Sequence, residues 1–99
     1  MAVTINIPSY LAAFADGQRT VKLTSSPATV NQALDALWGQ HPALRDRVLD
    51  EQSQVRQHIN IFVGDESIRF AQGLATPVPD GAEILIVPAV SGGSERPIR

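Results

Sequence analysis

The sequence predicts an α+β domain in which one main helix packs on a mixed sheet of four to five strands. Three observations predict it. Segments that alternate apolar and polar residues flank a single amphipathic helical stretch, with two on its N-terminal side and three after it. The last of these segments is apolar at both parities, as a strand covered on both faces must be. At 99 residues and 10.6 kDa, the chain has room for one core only.

Val3, Ile5 and Ile7 alternate with Thr4 and Asn6, and Pro8 ends this first strand because it has no N–H to give the ladder. Asp16-Gly17 offers turn chemistry, so the alternating run from Arg19 to Thr24, with Val21 and Leu23 on one side, reads as a hairpin-like return. Beyond Ser25-Ser26-Pro27, the residues Val30, Ala33, Leu34, Leu37 and Trp38 fall on one helical stripe. Thr29 and Gln32 have the spacing of a capping box, and Gly39 is expected to stop the helix. His41-Pro42 opens a short helical segment from which Leu44, Val48 and Leu49 cover an edge of the core.

Residues His58 to Val63 alternate again. Gly64-Asp65 turns them into a short edge strand over Ser67 to Phe70. Pro77 and Pro79 interrupt the segment after Leu74, Asp80-Gly81 turns the chain, and Glu83 to Val87 forms the most apolar strand. That composition places it at the sheet centre beside the first strand. The two ends of the chain then meet in the middle, which is the β-grasp arrangement. The expected organisation is a β-grasp domain over residues 1–90 and a C-terminal tail over 91–99 containing Gly92-Gly93 and six residues beyond.

Composition excludes several functions. A formal net charge of −2 with a single lysine, Lys22, gives no basic footprint for nucleic acid or anionic lipid. No apolar run approaches membrane-spanning length and the N-terminus lacks the charge and apolar core of a signal peptide, so a cytoplasmic protein is expected. The absence of cysteine removes disulfides, thiolate metal sites and thiol nucleophiles. Neither a phosphate-binding glycine loop nor a nucleophile elbow is present. His41 and His58 have no ligand-like neighbours in sequence and read as surface or capping groups, with no metal expected. Asp46, Asp50 and Glu51 are interleaved with Arg45 and Arg47, a pattern of solvated ion pairs more than of acid–base catalysis.

The end of the chain differs. A central strand running into Pro88-Ala89-Val90-Ser91-Gly92-Gly93 projects two glycines beyond the fold, where the lack of Cβ atoms leaves a thread thin enough for a partner's narrow active site. A glycine pair near a terminus also suits a plain linker.

The runs Asn60-Ile61-Phe62-Val63-Gly64-Asp65-Glu66, Gly73-Leu74-Ala75-Thr76-Pro77-Val78, Asp80-Gly81 and Ile86-Val87-Pro88-Ala89-Val90-Ser91-Gly92-Gly93 closely resemble the ThiS/MoaD family of ubiquitin-like sulfur carriers, from Val3 to Gly93. Within it the chain looks most like carriers serving O-phosphoserine-dependent cysteine synthesis. The resemblance implies a protein that is no enzyme itself but a co-substrate. A ThiF/MoeB-type adenylating enzyme would use MgATP to activate the Gly93 carboxylate, Gly92 giving access, and sulfide or a persulfide would displace AMP to leave a thiocarboxylate. A cysteine synthase-like enzyme would accept the sulfur; thiazole, molybdopterin and tRNA pathways use the same handle. No cofactor is implied for the chain itself.

Such carriers end at the second glycine, whereas Ser94 to Arg99 follow here. An internal carbonyl cannot be adenylated as a carboxylate, so removal of residues 94–99 by a JAMM-type metalloprotease is expected. An inert added tail or a homologue that has lost activity fits the same residues. If Val3, Ile5, Ile7, Ile59, Ile61, Ile84 and Ile86 face the helix, then Phe62, Leu85 and Val87 lie on the opposite sheet face. With Val90, they are expected to bind the partner, unless the Leu44 to Val55 segment or a second copy covers them. A ubiquitin-like modifier joined to target lysines, the small subunit of molybdopterin synthase and a non-covalent interaction module are the alternative functions.

Overall fold

The computed structural model describes residues 2–88. Five strands form one sheet: β1 (Val3–Asn6), β2 (Thr20–Leu23), β3 (Ile59–Val63), β4 (Glu66–Ser67) and β5 (Glu83–Pro88), in the order β2-β1-β5-β3-β4. β1 and β5 pair in parallel, and each is flanked by an antiparallel neighbour. This is the β-grasp sheet, with the most apolar strand at its centre as its composition predicts.

Helix α1 (Val30–Gln40) packs across one face. Of its stripe residues, Val30, Ala33, Leu34 and Leu37 are buried, together with Ile5, Ile59, Ile61, Ile84 and Ile86 from the sheet, and Trp38 packs against this cluster partly buried. The cap forms as the spacing requires: Thr29 Oγ1 accepts from Gln32 N–H at 3.3 Å, while Gln32 Oε1 reaches back to Ala28 N–H at 2.8 Å. Two further bonds, Val30 N–H to Thr76 O and Val78 N–H to Ala28 O, tie the helix start to the loop before β5.

Gly39 does not stop the helix. Its φ is helical, the helix continues through Gln40, and His41 closes it by donating its backbone N–H to Leu37 O at 2.8 Å. Pro42 ends it, since the residue before a proline is pushed out of the α region, and His41 sits at φ −136° and ψ 74°. A 3₁₀ turn (Pro42–Leu44) and a single helical turn, α2 (Arg45–Val48), then bury Leu44, Val48 and Leu49 in the same cluster as α1.

Two connections differ from the sequence reading. Residues Ser9–Ala15, between β1 and β2, form a 3₁₀ helix that buries Leu11, Ala12 and Ala15, so the return is a packed crossing and not a tight hairpin. Asp16 and Gly17, both at positive φ, terminate it. At the far edge, strand pairing ends after Ser67, and Ile68–Phe70 is a 3₁₀ turn because Ser67 Oγ accepts from Arg69 N–H and turns the backbone away.

The acidic and basic residues of 45–51 are exposed or half-buried, and they form one ion pair: Arg45 meets Asp46 at 3.4 Å, while the Arg47 guanidinium lies 4.3 Å from the Phe14 ring centre. Asp50 instead organises a turn, accepting from the N–H groups of Gln52 (2.8 Å) and Gln54 (3.0 Å). Those bonds to its charged form, Gln54 first, hold its carboxyl below the usual carboxylate range. The stabilisation is therefore present above about pH 4 and is lost as pH falls through the lowered value. Asp50→Ala should lower the thermal midpoint at pH 7, and the difference from the parent should narrow in melts at about pH 2.

Candidate functional site

The face of the sheet away from α1 is built by register. Thr20 pairs with Asn6, Asn6 with Leu85, Leu85 with Phe62, and Phe62 with Ser67, so these five side chains form one row across all five strands. Val87 lies two residues along β5 and pairs with Asn60. Phe62, Leu85 and Val87 thus share the outer face, half-buried, where alternation from the buried Ile61, Ile84 and Ile86 requires them.

Polar groups border this apolar strip on both sides. On one flank Thr20 Oγ1 donates to Asn6 Oδ1 (3.2 Å) and Asn6 Nδ2 donates to Glu83 Oε2 (2.6 Å). On the other, Ser67 Oγ donates to Asn60 Oδ1 (2.9 Å). The bonds hold the border side chains to one another, so the apolar strip lies between fixed polar rims. The segment containing Leu44, Val48 and Leu49 does not cover the strip, because those residues bury with α1 on the inner face.

At the end of β5 the strip opens into a groove of about 320 Å³ whose lining includes Asn6, Tyr10, Arg19, Leu85, Val87 and Pro88. It lies at the end of β5, beside Pro88, the last of the described residues. Arg19 donates through Nε to Ile7 O at 3.2 Å, and partial burial raises the Tyr10 phenol above its ordinary range. Sequence patterning places neither residue here. The seven-residue 3₁₀ helix that carries Tyr10 buries Leu11, Ala12 and Ala15 and is too short to leave a periodic signal in the sequence. Val90, Gly92 and Gly93, together with the boundary expected at residue 90, lie outside the described residues.

Other features do not converge on a catalytic centre. His58 is exposed, whereas His41 is buried at the end of α1, its Nδ1 3.8 Å from Asp16 Oδ2. Among the described residues no group of three or more His, Asp or Glu side chains could hold a metal ion. A second groove of about 500 Å³ lies toward the β4 edge among Val55, Asn60, Ile61, Ile68, Arg69 and Leu74. There Arg69 is engaged in structure, donating to Gln57 O and Ile59 O at 3.1 and 2.9 Å. Among the described residues no helix is long and apolar enough to cross a membrane.

Among the described residues, Phe62, Leu85 and Val87 form a half-buried apolar strip beside the end of β5 at Pro88. The sequence model of the ThiS family matches residues 6–93, from the end of β1 through the second glycine. The chain belongs to the ThiS family. This ThiS-family chain is 37% identical over 95 residues to the sulfur carrier protein CysO of Mycobacterium tuberculosis, covering 94% of the chain and all of the relative. It is 40% identical over 78 residues to small archaeal modifier protein 1 of Haloferax volcanii, covering 78% of the chain and 85% of the relative. Among solved structures, the CysO chain of the Amycolatopsis orientalis BexX/CysO complex superposes with a TM-score of 0.81 at 36% identity, over 93% of this chain and 100% of that one. The relatives of this chain are thus sulfur carrier proteins and small protein modifiers.

Proposed function

We propose that this chain carries sulfur on the main-chain carboxyl of Gly93, as a thiocarboxylate. The observation that carries the reading is where the family match stops: at Gly93, five residues past Pro88, the last residue of the central strand. A chain without cysteine has no side-chain thiol to hold or intercept the sulfur. The carboxylate is a poor electrophile, so an adenylating enzyme of the ThiF/MoeB type joins it to AMP from MgATP, releasing pyrophosphate. Attack by sulfide on the carbonyl carbon then expels AMP and leaves the thiocarboxylate. A persulfide donor instead gives an acyl disulfide, from which a second thiol releases the thiocarboxylate as it forms a disulfide with the donor. Six residues follow Gly93, and a JAMM-type metalloprotease removes them to free the carboxylate.

The apolar strip of Phe62, Leu85 and Val87, continued by Val90, is the surface by which the adenylating enzyme and the sulfur-accepting synthase hold the domain while the thread enters their active sites. Crystallisation of the Amycolatopsis CysO with BexX supports a carrier that works docked to a partner. The full-length likeness to mycobacterial CysO supports a cysteine synthase-like enzyme as the acceptor.

Intact-mass measurement of the protein recovered from its native host under sulfur demand tests this reading. The expected species ends at Gly93 and shows exchange of one oxygen for sulfur. Recovery of only the form ending at Arg99 overturns it. The similarity to small archaeal modifier protein 1 favours a second use of the same activated end, transfer to amines of other proteins. Covalent adducts of high mass in the host would show that use.

A further inference from the structure

Among the described residues, Phe70 and Tyr10 are the two large hydrophobic side chains left exposed, and Phe70 is much the more so at 86%. It closes the 3₁₀ turn Ile68–Phe70 that follows β4. That turn is held at both ends, by Arg69 N–H to Ser67 Oγ and by Ala71 N–H to Ile68 O at 3.1 Å. Ile68 points into the core, and at three residues per turn a residue two places on falls on a different side. The ring of Phe70 is therefore held out in water by a fixed backbone.

Beside the same turn lies the groove of about 500 Å³ toward the β4 edge, with Ile68, Arg69 and Leu74 in its lining. Val55, Ile68 and Leu74 give it an apolar floor continuous with the core. Arg69 is the one charged side chain in the lining, and its Nη2 is tied to Gln57 O and Ile59 O. Those bonds lie in the guanidinium plane, so they fix the group and leave a face for stacking. A cavity of about 150 Å³ holds a benzene ring, so this groove has room for a phenyl side chain. The fold already joins these two groups elsewhere, where the Arg47 guanidinium lies 4.3 Å from the Phe14 ring centre.

We infer that this face pairs two copies of the chain, the Phe70 ring of each seated in the groove of the other, on Val55 and Leu74 and against the Arg69 guanidinium. The charge of the groove then meets the negative face of a ring and no second charge is buried with it. Knob and hollow flank one turn, so a single two-fold rotation seats both rings and the assembly closes at two. Two phenylalanine rings bury about 400 Å² and the walls they cover about as much again. The total of about 800 Å² falls short of the roughly 1,200 Å² at which stable interfaces begin, so the dimer is weak and forms toward millimolar concentration. Phe62, Leu85, Val87 and Pro88 do not line the groove, and pairing leaves that strip uncovered.

The test uses the full chain. Sedimentation velocity from micromolar to millimolar concentration should show a monomer giving way to a species of twice its mass. Phe70→Ser, at a position too exposed to alter the core, should stay monomeric throughout with an unchanged circular dichroism spectrum. Phe62→Asp should dimerise as the parent does, because the strip takes no part. To read the contacts, p-benzoylphenylalanine replaces Phe70, and equal amounts of isotope-labelled and unlabelled chain are mixed and irradiated. Cross-links should join a labelled to an unlabelled chain at Val55, Arg69 or Leu74. A chain that stays monomeric at millimolar concentration overturns the inference. So does a dimer that survives Phe70→Ser or is lost in Phe62→Asp, and so do cross-links confined to one chain or formed at other residues.

Discussion

Phe62→Asp and Val87→Asp, made singly, are expected to abolish charging of Gly93 by its adenylating enzyme while leaving the sheet folded. Both side chains are half-buried on the outer face, so a carboxylate there remains within reach of water in the free domain. Against a docked partner the same carboxylate is desolvated without a counter-charge, because the neighbouring polar groups of Asn6, Asn60 and Ser67 are already bonded within the domain. Apolar anchors at the centre of an interface commonly contribute about 2 kcal/mol or more. With the cost of the buried charge added, affinity should fall by about a hundredfold or more. Pyrophosphate exchange and intact mass measure charging, and circular dichroism measures the fold. Charging at the parent rate by both variants would reject this face as the docking surface.

Ile84→Ala is expected to have the largest effect on stability. Ile84 is fully buried where the parallel and antiparallel ladders meet, paired with Ile5 on one side and Val63 on the other. Its neighbours come from both flanking strands and from α1, so the site cannot collapse around the missing atoms. The expected loss is about 2–5 kcal/mol. For a domain of this size each kcal/mol corresponds to about 4–8 °C, so the midpoint should drop by at least about 10 °C. A urea titration with an unchanged slope would attribute the shift to the native core. A loss under about 1 kcal/mol would mean that the strand centre is loosely packed.

Phe62→Asp and Val87→Asp probe the outer face of the sheet and Ile84→Ala the inner face, and the sequence makes that division readable. In β5 both parities are apolar, so alternation within that strand alone does not say which side faces the helix. The companion strand β1 decides it. Val3 and Ile5 alternate with Thr4 and Asn6, and once β1 lies beside β5 the register carries Ile84 and Ile86 inward and Leu85 and Val87 outward. The helix is legible for a similar reason, since its stripe and its capping residues agree. Gly39 misleads because glycine near a helix end is a common stop, yet here the following His41-Pro42 step supplies the stop through proline sterics. The 3₁₀ helix at Ser9–Ala15 escapes a sequence reading because seven residues give too few turns for a periodic signal.

By itself the sequence determined the chemistry that is open to this protein. The absence of cysteine, the glycine pair five residues beyond the last strand, the solitary lysine and the order of strands around one helix are properties of the chain in any conformation. Only the tertiary structure decided which groups share a surface. Asn6, Leu85 and Phe62 are far apart in sequence and became one row through backbone ladders. Tyr10 and Arg19 came to the root of the thread through a crossing that local periodicity does not encode. Residue types set what can react, while long-range pairing sets what can meet, because strand register is fixed by contacts between segments and not within them.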